Sequence, residues 1–180
     1  MTRTQVDIKS LIRTIPDFPK PGVQFRDITT LLKDRDGFHD VIERLANAYA
    51  NQALDKIAGI ESRGFIIAAA LAYRLNVGFV PIRKRGKLPA ENFGCDYALE
   101  YGSDRLEMHR DAIARDERVL LVDDLIATGG TAEAAARLIR MAGGSVAGCA
   151  VVIDLPGLGG RRRLESLGYP VLSLCDFSGH

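Results

Sequence analysis

The stretch Arg118-Val-Leu-Leu-Val-Asp-Asp-Leu-Ile-Ala-Thr-Gly-Gly-Thr131 decides the fold. Val119 to Val122 form a short apolar run of the kind that fills a strand buried on both faces of a parallel sheet. Asp123 and Asp124 sit where that strand should end, a small hydroxyl-rich turn follows, and an alanine-rich helix is expected from about Gly130 to Ala142. Strand, acids, glycine turn and helix, in that order, build a phosphate site at the carboxyl edge of an open α/β sheet. An ordinary strand–turn–helix connection would also use glycine and threonine. Paired acids at a strand end, however, are costly to desolvate if nothing uses them.

Elements of the same two kinds extend outward in both directions. Upstream, Ile8, Leu11, Ile12 and Ile15 follow helical spacing, so the chain is expected to open with a short amphipathic helix. Pro16, Pro19 and Pro21 end it and stiffen a segment of about 16–30 that has neither helix nor strand period. A helix is expected from about Asp36 to Asn51, a strand over Lys56–Ile60, a helix over Gly64–Leu75 and a strand over Gly78–Ile82. Residues 83–94 read as a polar, glycine- and proline-rich loop. Tyr97, Leu99 and Tyr101 alternate, as do Leu106 and Met108, which suggests a β-hairpin around Gly102-Ser103. Downstream come a strand over Ser145–Ile153, a partly helical stretch over 157–167 and a last strand over Val171–Leu174. The alternation predicts one α/β domain over 1–180 with a doubly wound, mostly parallel sheet.

With 180 residues and 47% hydrophobic content the chain can bury a sizeable core. Lys+Arg of 24 against Asp+Glu of 23 leaves a net charge of +1, so no global field favours nucleic acid or a membrane. Cys95, Cys149 and Cys175 lack metal or disulfide spacing and read as reduced thiols of a cytoplasmic protein. The longest apolar run, Phe65 to Tyr73, is too short to span a bilayer, and no signal-peptide core is expected at the N-terminus. His39, His109 and His180 show no metal or triad pattern.

Chemistry enters at Ala127-Thr-Gly-Gly-Thr131. Glycines let backbone N–H groups approach an anion, two threonine hydroxyls add donors, and the helix start supplies a positive dipole end. The spacing is neither that of the nucleotide-triphosphate loop nor that of the dinucleotide fingerprint, and it suits one phosphate monoester. Asp123 and Asp124, acceptor-only when ionised, would fall near a sugar and suit a pair of hydroxyls. They could instead help hold a magnesium ion, although two acids make a sparse metal site. The run Arg83-Lys-Arg-Gly-Lys87 is open to two readings, a solvated or nucleic-acid-binding patch and an anion-binding loop.

V-L-L-V-D-D-L-I-A-T-G-G-T resembles the phosphoribosyl-pyrophosphate signature of the type I phosphoribosyltransferases. Four further stretches are similar to the adenine phosphoribosyltransferase family: F-P-K-P-G-V-Q-F-R-D-I-T (18–29), G-I-E-S-R-G-F (59–65), I-R-K-R-G-K-L-P (82–89) and L-E-Y-G (99–102). The similarity runs in one order from about residue 8 to 177. It implies a doubly wound sheet with an N-terminal hood over about 16–30 and a flexible β-hairpin loop over about 83–104. The activity it implies is formation of AMP and pyrophosphate from adenine and phosphoribosyl pyrophosphate by a homodimer, with Mg2+ held mainly by the substrate rather than by protein ligands.

Residue by residue, the resemblance implies that Ala127, Thr128, Gly129, Gly130 and Thr131 bind the 5′-phosphate and that Asp123 and Asp124 meet the ribose hydroxyls. Arg63, Arg83 and Lys87 would face the pyrophosphate, beside an expected cis peptide at Glu61-Ser62. Arginine offers bidentate recognition of phosphate oxygens and lysine a mobile point charge. Phe25 would stack on the base, with backbone groups around Gln24 and Arg26 reading its edge; Phe25 as a plug of the core is the alternative. Gln24 stands where the family is expected to carry an aliphatic residue. Glu100 is the implied proton-handling group and Tyr101 a cover for the closed site. Arg161, Arg162 and Arg163 are assigned to a solvated face or a subunit contact. Two other functions fit the central motif alone: a 6-oxopurine phosphoribosyltransferase, and a regulator of the same fold that senses the ligand without catalysis. The regulator would carry an added nucleic-acid-binding element, for which this sequence has no evident room.

Overall fold

A computed structural model of the chain describes residues 6–99 and 102–178. Its strands in chain order are β1 (Arg13–Pro16), β2 (Gln24–Asp27), β3 (Lys56–Ile60), β4 (Gly78–Lys84), β5 (Asn92–Ala98), β6 (Ser103–His109), β7 (Arg118–Ile126), β8 (Ser145–Asp154) and β9 (Val171–Asp176). The helices are α1 (Thr29–Leu32), α2 (Arg35–Tyr49), α3 (Arg63–Leu75), α4 (Gly130–Met141) and α5 (Gly160–Ser166). Seven strands make the main sheet in the order β5-β6-β4-β3-β7-β8-β9, and β1 and β2 pair separately. Neighbours from β4 to β9 through β3 run parallel, while β6 and β5 are antiparallel additions at one edge.

The alternation of side chains along the central strands divides the interior in two. Leu120 and Val122 of β7 and Ile57 of β3 pack with Val41 and Leu45 of α2 and Ile67 and Leu71 of α3. Val119 and Leu121 of β7 and Ala58 and Ile60 of β3 face the other way, onto Ala134, Ala135, Leu138 and Ile139 of α4. The alanines of α4 bring its backbone close to the sheet. Both faces are therefore covered, as the doubly wound reading requires.

Two features of this topology position the site. On one side β7 pairs with β3 only as far as Val122, opposite Gly59, but on the other it pairs with β8 as far as Ile126, opposite Asp154. Asp123 and Asp124 thus lie within β7 rather than at its end, and they project where β3 has already turned away. The connections from β3 and β7 also leave toward opposite faces, so their carboxyl ends flank the crevice of a topological switch point.

The expected first helix is replaced by a single 3-10 turn over Ile8–Leu11, followed by β1. Ile15 precedes a proline and Thr14 and Ile15 are β-branched, all of which favours extended backbone. The segment 16–30 is likewise more regular than its sequence suggests. β2 pairs antiparallel with β1 from Arg13↔Asp27 to Pro16↔Gln24, and the connection contains a cis Phe18–Pro19 bond. The polar loop is shorter than expected: β4 continues to Lys84 and β5 begins at Asn92. The hairpin of β5 and β6 is paired from Asn92↔His109 to Ala98↔Ser103.

Asp27 fastens the hood. Its carboxylate accepts from Arg13 Nε at 3.0 Å and from the Thr29 amide at 2.9 Å. Hydrogen bonding from Thr29 first, and from Arg13 next, lowers its pKa from 3.8 to about 2. A depressed carboxylate contributes its full stabilisation above the unfolded-state pKa and loses it as pH falls through the folded value. Asp27→Asn is expected to lower Tm at neutral pH, and its deficit against the wild type should shrink as pH falls from 3.8 toward about 2. Thermal melts of both proteins across that window check this.

Candidate functional site

The notch beyond Gly59 is filled by the turn from β3 into α3, where the Glu61–Ser62 peptide is cis. Arg63 opens α3 and its Nε lies 2.9 Å from Oδ2 of the buried Asp124 carboxylate. A Cβ on Gly64 would stand 2.6 Å from Asp123 Oδ1 and 3.2 Å from Val122 O. Glycine at that position is what allows the helix start to approach β7 so closely. Asp123 Oδ1 also accepts from the Asp124 amide at 2.9 Å. Burial, with the neighbouring Asp124 carboxylate, pushes Asp123 well above the usual carboxylate range.

Past Ile126 the chain turns through Ala127–Gly129 into α4. Gly129 has φ 82°, a left-handed conformation that favours glycine, and no side chain caps the helix start. The first-turn N–H groups of α4 are therefore available to an anion. From behind, the Gly160 amide donates to Ala127 O at 2.9 Å. From the front, the hairpin crosses the turn, with Ala98 O lying 3.4 Å from the position of a Cβ on Gly130.

Cations ring the opening, each against an acid. Arg83 Nε is 3.2 Å from Glu61 Oε2, which also accepts from the Lys84 amide at 2.9 Å. Burial opposes ionisation of Glu61, but these two donors prevail and its pKa is lowered. Lys84 Nζ lies 2.8 Å from Asp104 Oδ2, and the Tyr97 hydroxyl donates to the same oxygen at 3.2 Å. The cavity enclosed here, about 290 Å³, is lined by Glu61, Arg63, Lys84, Tyr97, Asp123, Asp124, Ala127, Gly129 and Thr131 among others. Among the described residues no group of three or more His, Cys, Asp or Glu could hold a metal ion.

A second cavity of about 420 Å³ lies under the hood, lined by Gly22–Arg26, Arg63, Leu125, Ala127, Leu155 and Leu158. Phe25 forms its aromatic wall, steadied edge-on by Phe18 at 5.1 Å between ring centroids. The Arg26 guanidinium points away, onto the Phe177 ring at 4.4 Å and Thr14 Oγ1 at 2.5 Å. Its carbonyl instead faces Arg63 Nη1 at 3.5 Å. Arg63 also lies 5.0 Å from the Phe25 ring centroid, so one guanidinium borders both cavities.

Of the residues singled out in the sequence, Arg63, Asp123, Asp124, Ala127, Gly129 and Thr131 line the first cavity, and Phe25 and Arg26 the second. Thr128 is exposed at the tip of the turn and Gly130 is buried at the helix start. Arg83 is engaged by Glu61, and Lys87 is exposed with its carbonyl accepting from Arg83 Nη1 at 3.2 Å. Glu100 and Tyr101 lie outside the described residues. Lys84, Tyr97, Leu155 and Leu158 were not foreseen. For Lys84 the signal is parity: in β4 it follows Val80 and Ile82, whose side chains face the α4 layer.

A profile of the family described as Phosphoribosyl transferase domain matches residues 28–171. The chain is 65% identical over 172 residues to the adenine phosphoribosyltransferase of Methylobacillus flagellatus, covering 96% of this chain and 98% of that one. The crystal structure of adenine phosphoribosyltransferase from Thermoanaerobacter pseudethanolicus superposes with a TM-score of 0.92 at 51% identity, over 97% of this chain and 100% of that chain. The Saccharomyces cerevisiae enzyme, complexed with adenine and D-2,5-dideoxy-2,5-imino-altritol 1,6-bisphosphate, gives 0.87 at 38% identity, over 94% and 97%.

The crowded acids carry a stability consequence. A carboxyl whose pKa is raised on folding favours the folded state least once it is ionised, so its cost grows as pH rises through the folded value. Asp123→Asn keeps the acceptor for the Asp124 amide and removes that cost. Its Tm is expected to exceed that of the wild type at neutral pH, with the difference vanishing on acidification. A lower Tm at every pH would contradict the electrostatic account.

Proposed function

The chain belongs to the adenine phosphoribosyltransferase family, and from that premise we propose that it transfers the ribose 5-phosphate group of phosphoribosyl pyrophosphate to adenine, releasing AMP and pyrophosphate. The observation that carries this reading is the pair of adjoining cavities, one walled by an aromatic ring and one by paired acids and a glycine turn, which share Arg63, Leu125 and Ala127. A nucleotide has the same division into a flat base and a charged sugar phosphate. Adenine stacks on Phe25, with the backbone of Arg26 at its edge. The ribose diol meets Asp123 and Asp124, and the 5′-phosphate meets the N–H groups and hydroxyls of Ala127–Thr131.

In the transfer, the bond between the anomeric carbon and the pyrophosphate oxygen breaks and its electron pair leaves with pyrophosphate. A ring nitrogen of adenine bonds to that carbon and gives up its proton, a task the family resemblance assigns to Glu100. The centre resembles an oxocarbenium ion, so positioning and neutralisation of the leaving group dominate. Arg63 and Lys84 at the cavity, with Arg83 at the end of β4 and Lys87 on the loop that follows, supply that charge. Two carboxylates are too few to hold magnesium alone, so a magnesium ion bound with the substrate would be held mainly by the diphosphate and would add positive charge to the leaving group. The hairpin over about 83–104 excludes water over the reacting atoms.

The working form is a homodimer in the cytoplasm. Ile66, Tyr73 and Phe79 are 44%, 91% and 37% exposed on α3 and β4, beside the Phe65–Phe79 edge-to-face pair. A second copy of the chain is the partner we assign to this apolar face. Cys95, Cys149 and Cys175 are free thiols, and among the described residues no helix is long and apolar enough to cross a membrane.

Purified protein with magnesium is expected to form AMP from adenine and phosphoribosyl pyrophosphate, and to leave guanine, hypoxanthine and xanthine unconverted. Conversion of those bases without adenine would overturn the base assignment. Replacing both Asp123 and Asp124 by Asn should weaken phosphoribosyl-pyrophosphate binding by about 100-fold, the scale of two charge-assisted hydrogen bonds. Titration calorimetry reads it, and equal affinity would remove the ribose role. Tyr73→Glu should shift the protein from dimer to monomer in light scattering; an unchanged mass would place the interface elsewhere.

A further inference from the structure

The turn 127–131 has little of its own to hold it. Gly129 and Gly130 have no side chains, Thr128 is exposed, and no side chain caps α4. Its support comes from outside, from the segment that follows β8. The Leu155 amide donates to Ile126 O at 3.0 Å and the Gly160 amide to Ala127 O at 2.9 Å. The approach at Gly160 is closer than any side chain would permit: a Cβ there would lie 2.4 Å from Ala127 O and 2.7 Å from Gly129 N. In the reverse direction, a Cβ on Gly129 would lie 2.9 Å from Gly160 Cα. The two backbones therefore act as one piece, and whatever fixes Gly160 fixes the turn.

Arg161, the next residue, supplies that fixation. Its Nη2 donates to Val171 O at 2.6 Å and its Nη1 to Ser173 Oγ at 3.3 Å, both on β9. Nη1 also lies 3.7 Å from Asp154 Oδ2, at the end of β8, and Nε donates to Glu165 Oε1 at 3.0 Å within α5. Asp154 is 3% exposed, and Arg161 is the cation the structure places beside it. Two residues later Arg163 Nε reaches Glu133 Oε2, in the first turn of α4, at 2.5 Å. So α5 is tied to β8 and β9 on one side and to α4 on the other, with Gly160 pressed against the turn between them. The arginines expected on a solvated face or at a subunit contact are, for Arg161 and Arg163, partly exposed and also paired within the chain.

We propose that Arg161 is a positioning residue for the phosphate turn: anchored to Asp154, Val171 and Ser173, it sets Gly160 against Ala127 and Gly129 and so fixes the spacing of the N–H groups that receive the 5′-phosphate. The proposal rests on the assignment of that turn to the phosphate. A guanidinium is needed because its planar fork reaches β8 and β9 together, which a lysine point charge cannot do. Small displacements of a binding constellation weaken it steeply.

The test is steady-state kinetics of Arg161→Ala, Arg161→Lys and Ser173→Ala, with titration of AMP alone. For Arg161→Ala the expected result is a KM for phosphoribosyl pyrophosphate and a Kd for AMP raised by about tenfold, with the KM for adenine unchanged. Arg161→Lys should recover only part of that loss, and Ser173→Ala should shift the same two constants in the same direction by a smaller factor. A role confined to stability would lower Tm and the active fraction and leave both constants as they are; that outcome overturns the proposal. If Arg161→Ala fails to fold, Ser173→Ala decides alone, unchanged constants counting against the proposal. Thr131→Ala separates the two assignments: unchanged affinity for AMP in that variant would sink the phosphate reading itself, whereas weakened affinity there with unchanged constants for Arg161→Ala would sink only the positioning role.

Discussion

The ion pair between Arg63 and Asp124 is the contact on which the rest of the site depends. Asp124 is 5% exposed, and a carboxylate that deep is tolerated only with a partner. Arg63 supplies it at 2.9 Å because α3 starts in the notch that β3 leaves beside β7. The same guanidinium faces the Arg26 carbonyl at 3.5 Å and the Phe25 ring at 5.0 Å. Sheet, helix start and hood therefore meet on one side chain. A neutral residue at 63 would leave Asp124 buried without charge compensation and would detach the hood wall from the floor.

Rigidity is unevenly distributed around that contact. The floor is built by backbone against backbone, at Gly64 beside β7 and at Gly160 beside the turn, where there is no side chain to rearrange. The wall on the hairpin side includes an ion pair with an exposed member, Lys84, 54% exposed, against Asp104. Exposed pairs contribute little to stability and exchange partners readily. Such a wall can give way to a ligand while the floor keeps its spacing.

How much of this the sequence shows follows from which forces act locally. β7, β3, α3 and α4 were legible because a strand buried on both faces and an alanine-rich amphipathic helix leave strong periodic patterns. The turn into α4 was legible because glycines and hydroxyls at a helix start have a local reason to be there. The hood was not: Ile8, Leu11, Ile12 and Ile15 match a helix by spacing, yet the pairing of β1 with β2 is set by residues about a dozen positions away. Lys84 was overlooked for Arg83 and Lys87 because a basic run reads as a loop, and only the extension of β4 reveals which of its residues turn inward. The support given by Gly160 and Arg161 is tertiary throughout, and three adjacent arginines carry no mark of it.

The cations and acids around the first cavity come as matched pairs: Arg63 with Asp124, Arg83 with Glu61, Lys84 with Asp104. Without ligand, each charge in these three pairs is compensated by its neighbour, whereas Asp123 is pushed up by burial and by the Asp124 carboxylate beside it. A ligand that carried only phosphates would draw the cations and strand the acids. One that carried only hydroxyls would satisfy the acids and leave the cations where they were. On the reading proposed above, a sugar bearing both a diol and a diphosphate would do both at once, its hydroxyls donating to Asp123 and Asp124 and its phosphate oxygens accepting from Arg63 and Lys84. On the same reading, such a site would favour the complete sugar diphosphate over either fragment, because only the complete ligand answers both members of each pair.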